Sequence, residues 1–217
     1  MMAAMDRPRP RLWDISPPVW DGAPVFPGDA PYRSVWAARI GPGCPVNVST
    51  LTLSPHTGAH ADAPLHYADG APTIGAVALA PFLGPCRVIH AIACGPLVTV
   101  RHLAHAAHAL PPRVLVRTCE RAPVGWIDDF SAFAPEAVEW LALQGVRLIG
   151  IDTASIDPAS SKTLPSHQQL RRLDLRVLEN LVLDDVPEGD YELIALPLRW
   201  VDADASPVRA ILRKLPK

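Results

Sequence analysis

The chain has 217 residues, long enough for one domain with a full core. Hydrophobic residues make up 49% and charged residues 19%, which excludes a disordered chain. A net charge of −2 gives no electrostatic footprint for nucleic acid or an anionic membrane, and no apolar stretch is long enough to span a bilayer, so the expected partner is a small molecule.

Residues 1–11 carry Asp6, three arginines and two prolines without the apolar core of a leader. They are expected to form a loose tail on a cytoplasmic protein, with residues 12–217 as a single domain. Residues 12–15 are expected as a short strand closed by Pro17 and Pro18. A proline-rich approach follows, with Trp20 and the turn Phe26-Pro-Gly-Asp. Residues 35–40 and 46–53 are expected to pair across the turn Gly41-Pro-Gly. The apolar run at 86–92 reads as a buried strand. Residues 100–110 read as a helix carrying His102, His105 and His108, which are expected to be solvated because no acidic residue lies near them in sequence. A strand at 113–118, a helix at 135–144 with Pro135 in its first turn and Gly145 as its stop, and a strand at 146–151 then alternate. That alternation predicts a parallel strand pair with a right-handed crossover. Further on, Ser166-His-Gln-Gln matches a capping box with Ser166 as N-cap, and residues 182–183 are expected in an apolar strand. Four cysteines (44, 86, 94 and 119) form no Cys-x-x-Cys pair and are expected as reduced core residues.

The densest chemistry lies at 54–67, Ser-Pro-His-Thr-Gly-Ala-His-Ala-Asp-Ala-Pro-Leu-His-Tyr. Three of the chain's 8 histidines, His56, His60 and His66, fall there with Asp62. His56 and His60 are four apart, a spacing that would share a helix face. Pro55, Gly58 and Pro64 argue against a helix and for a tight loop leaving a strand end. Imidazole and carboxylate together are ordinary ligands for Zn²⁺ and its neighbours. The small residues Gly58, Ala59, Ala61 and Ala63 allow close approach. Farther along, Glu179 lies between leucines and is a candidate for burial, and a buried carboxylate needs a partner.

The pattern His-x-x-Gly-x-His-x-Asp-x-Pro-x-His resembles the signature of the metal-dependent cyclase superfamily. Blocks at 12–18, 45–48, 83–90, 148–153 and 182–198 resemble its bacterial kynurenine formamidase (arylformamidase) branch. The resemblance implies an α/β fold of the swivelling β/β/α type, with a mixed sheet and outer helices. It implies two divalent metal ions, zinc first among the candidates. His56 and His60 match ligands of the first ion, Asp62 and Glu179 match bridging carboxylates, and His167 matches a ligand of the second. His66 matches the catalytic acid/base. Phe26 matches an aromatic that lies against the substrate, typically tryptophan in the family. A phenyl ring can still stack, with Trp20 as a possible second surface, but the indole N–H is lost. Family members are homo-oligomers, commonly dimers with the site near the interface.

The implied reaction is hydrolysis of N-formyl-L-kynurenine to kynurenine and formate by metal-activated water, with His66 protonating the leaving aryl amine. No Gly-x-Ser-x-Gly elbow supports a serine hydrolase. Two alternatives stay open: a hydrolase of another amide or of a cyclic substrate on the same scaffold, and a non-catalytic binding protein stabilised by its metals. One geometric expectation is sharp. In an unbroken helix His167 and Glu179 would lie about 18 Å apart, whereas paired ions lie roughly 3.5–4 Å apart. The helix must therefore break, and Leu173-Asp174 is the expected place, with Asp174 capping a new turn.

Overall fold

The computed structural model describes residues 11–214. The tail expected at 1–11 lies outside them except for Arg11, whose guanidinium sits over the Trp13 ring.

A nine-stranded mixed sheet forms the frame. At one edge lies β1 (Leu12–Asp14), followed by β13 (Ile211–Arg213) and β11 (Gly189–Ile194). Next come β5 (Leu83–His90), β7 (Arg113–Arg117), β9 (Leu148–Ile151) and β10 (Arg176–Glu179). The other edge is β4 (His60–Asp62) followed by β12 (Ala205–Pro207). The central pairings β5–β7, β7–β9 and β9–β10 are parallel, and the flanking ones are antiparallel. The parallel pairing of β7 with β9, joined through the helix α2 (Pro135–Leu143), is as expected.

Strand side chains alternate between the two faces, and the central strands use both. Val88, Leu115, Leu148 and Leu178 join one buried cluster with Trp13, Phe82 and Leu212. Ile89, Val114, Val116, Ile149, Ile151 and Val177 join the other, beneath α2 and α3 (Pro165–Leu173). Near-continuous apolar runs are what a parallel sheet covered on both faces requires. Gly150 shows how tight that packing is, because a Cβ there would meet Leu115 Cδ2 at 2.5 Å.

Two smaller ladders lie outside the frame. The hairpin of β2 (Arg33–Ala38) and β3 (Val48–Thr52) pairs as expected around the 41–44 turn. The strands β6 (Leu97–Val98) and β8 (Ala132–Phe133) form a short parallel pair.

Several sequence expectations change. The helix at 100–110 is only α1 (Val100–Leu103) followed by a 3-10 turn at Ala104–Ala106, since alanine propensity alone does not sustain a helix with one buried residue, Leu103. Residues 182–183 form no strand; the strand here is β10, which ends at Glu179. The helix break does fall at Leu173-Asp174, but Asp174 takes a left-handed conformation (φ +52°) that ends α3, and the chain turns directly into β10.

Candidate metal centre

Register brings three of the predicted side chains onto one face of the sheet. His60 and Asp62 stand two apart on β4, so they project from the same face, while Ala61 points into the opposite core cluster. Glu179 on β10 pairs directly with His60. The loop expected for these residues is thus partly a strand: His56 sits in the turn before it, and His66 ends a 3-10 turn, Pro64–His66, after it. The first turn of α3 lays His167 over the same face, with Nε2 at 3.3 Å from Asp62 Oδ2 and 3.5 Å from Glu179 Oε1.

His60 Nε2 lies 3.3 Å from Glu179 Oε2 and 3.5 Å from Asp62 Oδ1, and His56 Nδ1 lies 3.1 Å from the same Asp62 oxygen. Five predicted residues, two of them more than a hundred positions from the first three, therefore converge. His66 is brought to their edge, its ring centroid 4.3 Å from that of His56.

Backbone and carboxylate partners orient the rings. His60 Nδ1 donates to Gly58 O at 2.9 Å, which leaves Nε2 facing the carboxylates. Gly58 holds φ +67°, and a Cβ there would meet Val19 Cγ2 at 2.8 Å, so glycine is required to present that carbonyl. His167 Nδ1 donates to Asp157 Oδ2 at 2.7 Å. Asp157 also accepts the backbone N–H groups of Ser166 and His167. The expected capping box is therefore absent: Ser166 Oγ donates to Phe133 O, Leu164 occupies the N-cap position, and Asp157 caps α3 from nine and ten residues upstream. A carboxylate at a helix N-terminus also suits the helix dipole.

Asp204 joins the site without a motif in the sequence to mark it. It lies immediately before β12, where its carbonyl accepts from Ala63 N at 2.8 Å. Its Oδ2 is 3.0 Å from His56 Nε2 and 3.1 Å from His66 Nδ1. Neither Asp204 nor Asp157 belongs to a repeating pattern. The one available signal was two more acids beside apolar or proline residues, Ile156-Asp-Pro and Ala203-Asp-Ala.

Electrostatics follow from burial opposed by pairing. Burial lowers the His56 pKa, but Asp204 and Asp62 override it and raise it to about 10. Burial raises Glu179, as does Asp62, yet His167 and His60 hold it down at about 2. Burial likewise raises Asp62, and His167 and His56 pull it well below the usual carboxylate range. His167 is lowered by burial but raised well above its ordinary value by Asp157, Asp62 and Glu179.

The donor set fits divalent cations. Two carboxylates and three imidazole nitrogens converge, the donor chemistry of zinc-type ions. Asp62 Oδ1 is fully buried and accepts no hydrogen bond, although His56 Nδ1 lies 3.1 Å away. A short contact without hydrogen-bond alignment is the arrangement of two ligands around a shared cation rather than of donor and acceptor. The donor atoms of His56, His60 and Asp62 all lie within 4.8 Å of one another, as do those of Asp62, His66 and His167. Distance alone would thus let His66 ligate as well; its 31% side-chain exposure, against 16% for His56, sets it apart.

The centre floors a cavity of ≈ 570 Å³. Phe26 lines it, with its ring edge-to-face on Trp126 at 5.0 Å, and Trp126 in turn meets Phe130 at 6.2 Å. Trp20 is exposed and does not line the cavity. His105 and His108 are exposed, as expected, with His105 bonded to Glu188, whereas His102 is half-buried and its Nδ1 accepts from Thr99 N at 3.0 Å at the start of α1. All four cysteines are free thiols; Cys86 and Cys94 are buried as expected, whereas Cys44 and Cys119 are only half-buried. No helix among the described residues is long and apolar enough to cross a membrane.

Comparison with known proteins identifies the family. Residues 13–158 match the family model described as putative cyclase. A kynurenine formamidase from Bordetella pertussis is 72% identical over 206 residues, covering 94% of this chain and 99% of that one. A kynurenine formamidase from Delftia acidovorans is 70% identical, covering 94% of this chain and 98% of that one. Among solved structures, one described as a predicted metal-dependent hydrolase from Bacillus stearothermophilus superposes with a TM-score of 0.81 at 29% identity, covering 94% of this chain and 98% of that one. The chain therefore belongs to the cyclase family of metal-dependent hydrolases, in the branch of the bacterial kynurenine formamidases.

Proposed function

We propose that this protein hydrolyses N-formyl-L-kynurenine to L-kynurenine and formate. The convergence of Asp62 and Glu179 with His56, His60 and His167, around a carboxylate oxygen left without a donor, is the observation that carries this reading. His56, His60 and Asp62 would hold one divalent ion, and Asp62, His167 and Glu179 a second, with zinc the first candidate. Such a pair supplies Lewis acidity that makes water nucleophilic near neutral pH and polarises a carbonyl.

His66 is the proposed proton carrier. Asp204 holds its Nδ1, which leaves Nε2 to exchange a proton with the reacting groups. Water forms a C–O bond to the formyl carbon and gives up a proton, the C–N bond breaks, and His66 delivers the proton to the departing aryl amine. Phe26 and Trp126 offer an aromatic surface for the ring of the substrate.

We further read residues 12–217 as one domain, because β1 and β13, from opposite ends of the chain, pair in the same sheet. A cytoplasmic setting agrees with four free thiols. A homodimer is supported by the β2–β3 hairpin, whose Val35, Trp36, Val48 and Leu51 are all exposed. A two-stranded ribbon with apolar groups in water is marginal alone, and a second copy is the natural cover.

A substrate panel tests the reading. N-Formyl-L-kynurenine and other formylated anilines should be turned over and cyclic imides should not. Preferential opening of the cyclic substrates would replace this reading with that of a cyclic-amide hydrolase.

A further inference from the structure

A hydrolase that acts on N-formyl-L-kynurenine meets more than a formanilide. The substrate carries an α-carboxylate at the end of a short chain ortho to the formamide, and the residues assigned to the metal centre include no lysine or arginine to pair with it. Among the cavity's titratable lining groups, four imidazoles together with Glu179 and Asp204 belong to the centre. Asp29 also lines the cavity and accepts from Ser54 Oγ at 2.8 Å. One lining residue is a permanent-type cation, Lys162, and no arginine joins it.

Lys162 is one of only three lysines in the chain. It is exposed, in the irregular segment that leads into α3. Every lysine- or arginine-carboxylate pair among the described residues is made by an arginine, so the ammonium of Lys162 is uncommitted there. It also lines an adjoining cavity of ≈ 720 Å³, which shares Phe26, Trp126 and Phe130 with the first. The cation thus stands at the wall where the aromatic surface lies. If the formamide sits at the centre and the aryl ring on Phe26 and Trp126, the amino-acid chain is directed to this wall.

We propose that Lys162 reads the α-carboxylate of the substrate and so selects an amino-acid formanilide over a plain one. This rests on the reading of the site as an N-formyl-L-kynurenine hydrolase. A compact charge on a flexible stem suits a carboxylate that must enter and leave. Because the contact is remote from the reacting bond and equally available before and in the transition state, its loss should raise KM and leave kcat nearly unchanged.

The test compares two substrates on the metal-loaded enzyme: N-formyl-L-kynurenine, and 2-formamidoacetophenone, which keeps the formamide and aryl ketone but lacks the amino-acid end. Lys162→Met should lower kcat/KM about tenfold or more for the first through KM, the range of a hydrogen bond to a charged group. It should change the second by less than about twofold on the same scale. Lys162→Arg should retain most of the preference. Equal loss on both substrates, or no loss on either, overturns the assignment. Wild-type enzyme that cleaves 2-formamidoacetophenone but not N-formyl-L-kynurenine overturns the functional reading beneath it, and this assignment with it.

Discussion

The floor and the rim of the cavity are built by different means. On the floor, His60, Asp62 and Glu179 stand on paired strands, and His167 is tied by its ring and its backbone to Asp157. Asp62, His60, His167 and Glu179 are all buried. On the rim, Phe26, Trp126 and Lys162 sit on irregular segments, and Phe26 and Lys162 are exposed. The groups proposed to hold metal are placed mainly by sheet register and by the buried start of α3, whereas those proposed to choose among substrates are placed by loops. Damage to the floor should therefore abolish chemistry, and damage to the rim should shift preference.

The sharpest break is expected on the floor. Glu179→Gln keeps the volume but removes one of the two carboxylates, so metal content should fall below two ions per chain and turnover should drop to background. Full metal loading would remove Glu179 from the ligand set. His66→Ala comes next: it should keep its metal while kcat falls by about 10²–10⁴-fold, the usual range for a lost general acid–base. Parallel loss of metal would make His66 a ligand, which its distances alone permit.

Smaller effects sharpen the contrast. Asp157→Asn should weaken metal affinity by roughly 10–100-fold through the His167 ring, as for other partners of metal ligands. It should also lower Tm by a few degrees through the weakened cap. In chelated protein, pairing makes the centre's stability pH-dependent in a defined sense. His56, raised from 6.5 to about 10, contributes fully below pH 6.5 and loses that contribution as pH rises toward 10. Glu179, lowered from 4.5 to about 2, contributes fully above pH 4.5 and loses it as pH falls toward 2. The contribution of these two groups should therefore peak between pH 4.5 and 6.5, and metal uptake should flatten the alkaline side as it displaces the imidazole protons. Denaturant titration across pH, with and without chelator, measures it. The mildest change belongs to the rim: Phe26→Trp should alter KM for the aryl substrate by a few-fold at most, with metal content untouched.

What could be read from the chain divides along the same line. The strands with apolar runs were legible because a two-faced core imposes that pattern on 113–117 and 148–151. The break after Leu173 was legible from distance, since one helix cannot bring His167 and Glu179 together. That Glu179 stands on a strand was not, because a four-residue apolar run does not distinguish strand from helix. The cap of α3 was misplaced for a similar reason: Ser166 and Gln169 satisfy a local rule, but buried Asp157 supplies a charged acceptor to the same N–H groups. Asp204 is not legible because its partners, His56 and His66, lie 148 and 138 residues away and are joined to it by tertiary pairing of β4 with β12 and its flanking backbone bonds.

The most direct measurement is the turnover of N-formyl-L-kynurenine by one preparation before chelation, after chelation and after readdition of zinc, with elemental analysis of each sample. Two ions per chain, loss of activity on their removal with the fold retained, and recovery on their return are the expected results. Undiminished hydrolysis by protein shown to hold no metal would contradict the proposed centre.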